Sequence, residues 1–245
     1  MDQLIVALDV ESSARALALA DSLRDITGAF KIGSRLFTLE GPSIVRTLTE
    51  RGDKVFLDLK FHDIPNTVAT AVQAATSLGV WMLNVHAAGG RRMMEAAVNA
   101  AHETAAREAR QPPFVIAVTV LTSMNGAGLA DTGVEVPVLD QVARLARLTQ
   151  ESGLDGVVAS AQETAMIRKL CGKNFAIVTP GIRDQAKAAK ADDQERTMTA
   201  AEAIAAGASY IVVGRPIIGA PDPRSAAEKL LEGMAAERQK ADSRG

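Results

Sequence analysis

The stretch KVFLDLK, residues 54–60, decides the fold: it is an apolar run of strand length that closes on two charges, Asp58 and Lys60. Side chains alternate faces along a strand, so these two, two residues apart, are expected on the same side. Seven further runs of this kind recur: LIVALD from Leu4, AFKIGS from Ala29, VWMLNVH from Val80, FVIAVTVL from Phe114, GVVAS from Gly156, FAIVTPG from Phe175 and YIVVG from Tyr210. Ala- and Leu-rich segments of helical periodicity separate them, such as SSARALALADSLRDI behind a Ser12 cap and DQVARLARLTQES, whose apolar residues fall three and four apart. Strands apolar on both faces read as parallel and covered on both sides. Eight alternating strand–helix units in 245 residues are the usual extent of an α/β fold of the TIM (β/α)8 type, here a single barrel domain spanning residues 1–245. A doubly wound open sheet fits the same alternation.

Hydrophobic residues make up 47% and charged residues 23% of the chain, a balance that excludes disorder as the main state. Lys and Arg total 27 against 29 Asp and Glu, so no basic excess exists to neutralise a nucleic-acid backbone or an anionic membrane surface. Neither a nucleic-acid polymer nor a membrane is an expected partner. The single cysteine, Cys171, permits no intrachain disulfide and no thiolate metal cluster, which fits a reducing cytoplasm. The opening MDQLIVALDV is acidic, with too short an apolar run for a signal peptide. Residues 64–90 and 111–130 lack Asp, Glu, Lys and Arg, but Pro, Gly and polar amides or hydroxyls interrupt both, so each reads as a buried helix or strand joined through a turn. No Gly-, Ser- or Pro-rich linker divides the chain. After the seventh strand comes the polar run RDQAKAAKADDQERT, and residues 183–198 are read as a candidate lid because long connections without a core face are usually functional or mobile.

Barrel enzymes build their sites at the carboxyl ends of the strands, which is where the charges fall. Asp9 closes the first strand, Lys31 lies on the second, Asp58 and Lys60 close the third, and Asp63 follows at the turn, giving the grouping DLKFHD or DxKxxD. Inward charges can simply pair and seal a core. Buried pairs, however, often fail to stabilise relative to apolar replacements, so several in one apolar barrel argue for use. The turns TPGIRD (residues 179–184) and VGRPIIGA (residues 213–220) stand where barrels hold phosphate; backbone N–H groups, a helix N-terminus and Arg215 would bind a dianion. As an isolated motif GRP is weak, since an ordinary strand-to-helix turn looks the same. His62, His86 and His102 form no compact ligand set; the first two can reach the mouth, and His102 reads as a surface residue. Lys60 between Asp58 and Asp63 would compete with a metal cation, so metal dependence is disfavoured but open. Cys171, Met93, Met94 and Trp81 read as packing residues.

The string FLDLKFHDIPNTV, with LIVALD, FKIG, WMLNVHAAGG, VTVLTSM, TPGIR and VVGRPI in this order, resembles the bacterial orotidine 5'-phosphate decarboxylase family over essentially the whole chain. DxKxxD alone is shared with sugar-phosphate decarboxylases and synthases of the same superfamily; DLKFHDIPNT with TPGIR and GRPI is more specific. The resemblance implies a dimerising TIM barrel that converts orotidine 5'-phosphate, its small-molecule partner, to uridine 5'-phosphate, with each site completed by the neighbouring subunit and no cofactor or metal. It implies that Lys60 protonates C6, that Asp58 lies beside the leaving carboxylate, and that Lys31 orients Asp58 and touches the ribose. Asp63, Ile64 and Thr67 would reach across from the partner chain, and Asp9 would hold ribose hydroxyls. Thr122 or Ser123 would meet the pyrimidine edge. Pro180 would also contact the substrate, and Arg183, Gln194, Gly214 and Arg215 would bind phosphate, with Gln194 inside the lid. Other readings are a Mg2+-dependent decarboxylase of 3-keto-sugar phosphates, a Schiff-base aldolase acting through Lys60, and a barrel that binds nucleotide without catalysis.

Overall fold

In a computed structural model the eight runs form parallel strands β1 (Leu4–Ala7), β2 (Ala29–Gly33), β3 (Val55–Phe61), β4 (Met82–His86), β5 (Phe114–Val118), β6 (Gly156–Val158), β7 (Ala176–Thr179) and β8 (Tyr210–Val213). The structure describes residues 2–181 and 198–242. The strands close in sequence order, with β8 pairing back onto β1 through Leu4 and Ile211, so the sheet is a barrel and not an open doubly wound sheet. Outside it lie α1 (Ser13–Leu23), α2 (Ser34–Glu40), α3 (Pro42–Glu50), α4 (Pro65–Ser77), α5 (Arg91–Arg107), α6 (Gly126–Ala130), α7 (Val138–Glu151), α8 (Thr164–Cys171), α9 (Ala200–Ala205), α10 (Arg215–Ile218) and α11 (Pro223–Asp242). The Ser12 hydroxyl accepts from the Arg15 N–H at 3.3 Å, the N-cap that the sequence suggests for α1. The uncharged stretches become α4 with β4, and β5 with α6. Among the described residues, no helix is long and apolar enough to cross a membrane.

Alternation divides each strand between two cores. Leu4, Val6, Phe30, Ile32, Val55, Leu57, Leu83 and Val85 face outward and join the layer between strands and helices, to which Met93, Met94 and Cys171 also belong. Ile5, Ala7, Ala29, Phe56, Met82, Ile116, Val178 and Val212 fill the barrel itself. Both faces are covered, which is why the strands read as continuous apolar runs. Burial pushes the Cys171 thiol above its usual range, against the opposing pull of Arg147 and Arg168, as suits a packing residue. At the N-terminal end of the barrel Trp81 meets Phe114 and Tyr210 edge-on, with ring centroids 5.8 and 5.2 Å apart, and the Lys54 ammonium lies over the indole. On the outer side the Arg168 guanidinium donates to the carbonyls of Gly172, Phe175 and Gly207 and to the Ser209 hydroxyl, tying α8 to the approaches of β7 and β8.

Gly156 is in register with the inward-facing Ile116, and a Cβ placed on it would overlap the Ala176 carbonyl of the adjoining strand. Neither backbone can withdraw without opening the ladder. Gly156→Ala is therefore expected to cost about 1–3 kcal/mol, seen as a lower urea midpoint with unchanged slope.

Candidate active site

The interior changes from apolar to polar over one step of the pleat. Asp9, Lys31, Asp58 and Asn84 each stand two residues beyond an inward-facing apolar residue, namely Ala7, Ala29, Phe56 and Met82. The first, third and second strands thereby deliver their charges to one mouth. Lys31 Nζ lies 3.0 Å from Asp9 Oδ1 and 3.5 Å from Asp58 Oδ2, and Lys60 Nζ lies 2.6 Å from Asp58 Oδ1. The result is a row of alternating sign: Asp9, Lys31, Asp58, Lys60. The Lys31 and Asp58 side chains are only 9% and 13% exposed, so each needs the other's charge; Lys60, at 35%, keeps its ammonium accessible. Gly33 makes room for the arrangement, because a Cβ there would approach Lys31 Nζ to 2.8 Å.

Plain strand alternation does not explain how Asp58 and Lys60 meet. Leu57 pairs with Leu83 and Phe61 with Val85, so β3 uses four steps where β4 uses two, and the ladder is irregular between them. Within that irregularity Lys60 adopts φ 53°, a left-handed conformation rare for a side-chain-bearing residue. Its N–H donates to Asn84 Oδ1 at 2.8 Å, while Asn84 Nδ2 donates to Asp58 Oδ1 at 2.7 Å. Asn84 is fully buried. Sequence reasoning missed it; the available signal was a single amide on the inner face of the apolar WMLNVH run.

The remaining candidates surround this row to different degrees. Gly214 stands beside Asp9, a Cβ on it being 3.8 Å from Asp9 Oδ2, and Arg215 opens the four-residue α10. Pro180 follows directly on β7, and Thr122 and Ser123 lie in the loop between β5 and α6. Asp63, Ile64 and Thr67 are exposed at the start of α4. Asp63 accepts the Ile64 N–H at 2.6 Å, and within the single chain it takes no part in the Asp9–Lys31–Asp58–Lys60 row. Arg183, Gln194 and the 183–198 lid segment, except for Met198 at its end, lie outside the described residues. His62 and His86 do reach the mouth, ring centroids 5.3 Å apart, and His102 is exposed on α5. Burial, then the charges of His62 and Lys60, hold His86 below the usual imidazole range, with Asp58 opposing. Among the described residues no three His, Cys, Asp or Glu side chains gather as a metal ion would need.

The ammonium and carboxylate groups alternate across the carboxyl ends of the strands, where (β/α)8 enzymes place their active sites. Residues 2–230 match the model of the orotidine 5'-phosphate decarboxylase / HUMPS family. The chain is 52% identical over 234 residues to the orotidine 5'-phosphate decarboxylase of Syntrophotalea carbinolica, covering 96% of this chain and 95% of that one. It is 55% identical over 223 residues to the enzyme of the same name from Chromohalobacter salexigens, covering 91% and 92%. The crystal structure of orotidine 5'-phosphate decarboxylase from Lactobacillus acidophilus superposes with a TM-score of 0.83 at 34% identity, over 96% of this chain and 99% of that one. The chain belongs to the orotidine 5'-phosphate decarboxylase / HUMPS family and is a decarboxylase, as the FLDLKFHDIPNTV string suggests.

The lowered His86 has a consequence for stability. An unfolded imidazole takes up its proton near pH 6.5, whereas the folded site resists until lower pH. Between those points the unfolded state binds more protons, so this contribution is whole above about pH 6.5 and declines as the pH falls through the folded value. Urea midpoints measured from pH 7.5 down to 5 should therefore fall less steeply for His86→Gln than for the wild-type chain.

Proposed function

We propose that this chain converts orotidine 5'-phosphate to uridine 5'-phosphate without metal or cofactor, with Lys60 as the proton donor. The observation that carries this reading is the Lys60 ammonium, held 2.6 Å from Asp58 Oδ1 yet accessible at the barrel mouth. The names of the relatives from Syntrophotalea carbinolica and Chromohalobacter salexigens support the reaction. Asp58 already accepts from Lys60 and Asn84 and pairs with Lys31, which leaves its carboxylate committed to cations and donors of the chain itself and supports a site that works without a metal.

In the proposed step the bond between C6 and the carboxyl carbon breaks, carbon dioxide departs, and the electron pair stays on C6, where no carbonyl or imine is placed to absorb it. Lys60 stabilises that charge and then transfers a proton to C6, becoming a neutral amine. Asp58 beside the substrate carboxylate adds repulsion. Two like charges 4 Å apart cost about 4 kcal/mol at an effective dielectric of 20, against barrier reductions of up to about 23 kcal/mol in demanding reactions. Repulsion is therefore the lesser effect, and stabilisation of the developing carbanion by Lys60 the greater. Asp9 and Lys31 would hold the ribose, and Thr122 or Ser123 the pyrimidine edge. Pro180 would contact the substrate, and Arg183, Gln194, Gly214 and Arg215 would bind the phosphate, whose binding energy would close residues 183–198 over the site.

Asp63, Ile64 and Thr67 would complete the site of a second copy. Their exposure beside the charged mouth supports this, above all that of Ile64, an apolar side chain 66% exposed in the single chain. One cysteine and no disulfide fit a cytoplasmic enzyme of nucleotide synthesis.

An ultraviolet assay with orotidine 5'-phosphate and a chelator present should show turnover, and Lys60→Ala should abolish it while uridine 5'-phosphate binding stays detectable. Loss of turnover on chelation would favour the Mg2+-dependent alternative; substantial turnover by Lys60→Ala would remove its assigned role. Mixing inactive Asp58→Ala and Asp63→Ala chains should regenerate a minority of intact sites. Failure to recover activity after demonstrated subunit exchange would count against sites shared between copies.

A further inference from the structure

Asn84 does two things at once for the residues on which the proposed reaction rests. Its oxygen takes the Lys60 backbone N–H at 2.8 Å, and its amide nitrogen donates to Asp58 Oδ1 at 2.7 Å. Only one orientation of the amide serves both partners, because turning it over would face oxygen to carboxylate and N–H to N–H. The Lys60 N–H thus bonds to a side chain at the point where the β3–β4 ladder is irregular. Left-handed backbone at a side-chain-bearing residue persists only where the surroundings hold it, and Lys60 at φ 53° is so held by a fully buried side chain from the neighbouring strand. The Asp58 oxygen that Asn84 contacts is also the one 2.6 Å from Lys60 Nζ. Backbone and side-chain ends of Lys60 are therefore both referred to one amide.

We propose that Asn84 is a positioning residue for the decarboxylation, locking the left-handed Lys60 backbone and the Asp58 carboxylate so that the ammonium is presented to the reacting carbon. This rests on the reading of Lys60 as proton donor. Asn84 itself touches no substrate atom in this account, so its effect falls on the chemical step rather than on nucleotide binding.

The test compares Asn84→Ala and Asn84→Asp with the wild-type enzyme. Asn84→Ala removes both contacts and is expected to lower kcat about a hundredfold, the scale of a displacement near 1 Å, with KM within about threefold. Asn84→Asp keeps an acceptor for the Lys60 N–H but sets a second carboxyl group against Asp58, and their repulsion, opposed by the Lys31 and Lys60 ammoniums, disfavours ionising both. Its activity is expected to exceed that of Asn84→Ala at the acid end of the range and to fall, as the pH rises, at lower pH than that of the wild type. Hydrogen exchange at the Lys60 amide, which needs no turnover, should be faster in Asn84→Ala than in either other form. A kcat for Asn84→Ala within about threefold of wild type, or an unchanged Lys60 exchange rate, overturns the proposal. If Asn84→Ala does not fold, a wild-type pH profile in Asn84→Asp overturns it instead. Absence of wild-type turnover would sink the reading of the reaction, and the exchange rate would still decide whether Asn84 holds Lys60.

Discussion

Asp58 is the charge around which the mouth of the barrel is organised. A carboxylate this enclosed is expensive to strand, several kcal/mol after relaxation, and the protein surrounds it with Lys31, Lys60 and the Asn84 amide. Each neighbour imposes a further condition. Lys31, itself buried, pairs with Asp9 on its other side and passes close to Gly33, where a Cβ would crowd its ammonium. Lys60 requires a β3 that abandons its regular ladder, and that departure in turn requires Asn84 on β4. The polar layer is a closed set of dependencies resting on the apolar layer formed by Phe56, Met82 and Ile5 below it.

The closed ladder makes that set rigid. Side chains on neighbouring strands cannot shift independently when every strand has a partner on both sides, so groups projecting from their ends hold fixed spacings. The loops and short helices beyond the strands carry the remaining candidates, and Gly214 brings the end of β8 against Ala7 and Asp9 of the β1 end. The separation of a packed interior from a variable rim is what lets barrels of one architecture serve different chemistries.

Much of this was legible in the residues themselves. Eight apolar runs with helical segments between them specify eight parallel strands covered on both faces, and charges at the ends of the first three mark the mouth. Asp9, Lys31, Asp58 and Lys60 all come together as that pattern implies. Closure was not readable from alternation, because an open sheet has the same periodicity; it rests on the pairing of β1 with β8. The irregular stretch of β3 was also hidden, since DLK fits regular alternation and only the backbone shows φ 53° at Lys60. Asn84 escaped notice for a related reason: one amide in an apolar strand acquires meaning only when its cross-strand partners are known. Asp63, Ile64 and Thr67 stand apart from the charged row, exposed at the start of α4.

The aromatic plug at the opposite end has a practical consequence. Trp81 is the sole tryptophan and Tyr210 the sole tyrosine, and they are packed against each other just before β4 and at the start of β8. Along β4 three residues lead from Trp81 to Asn84 in the polar layer, about 10 Å at 3.3 Å per residue. Intrinsic fluorescence of this protein is therefore a gauge of the base of the barrel, sensitive to loosening of the strands where β4 and β8 begin.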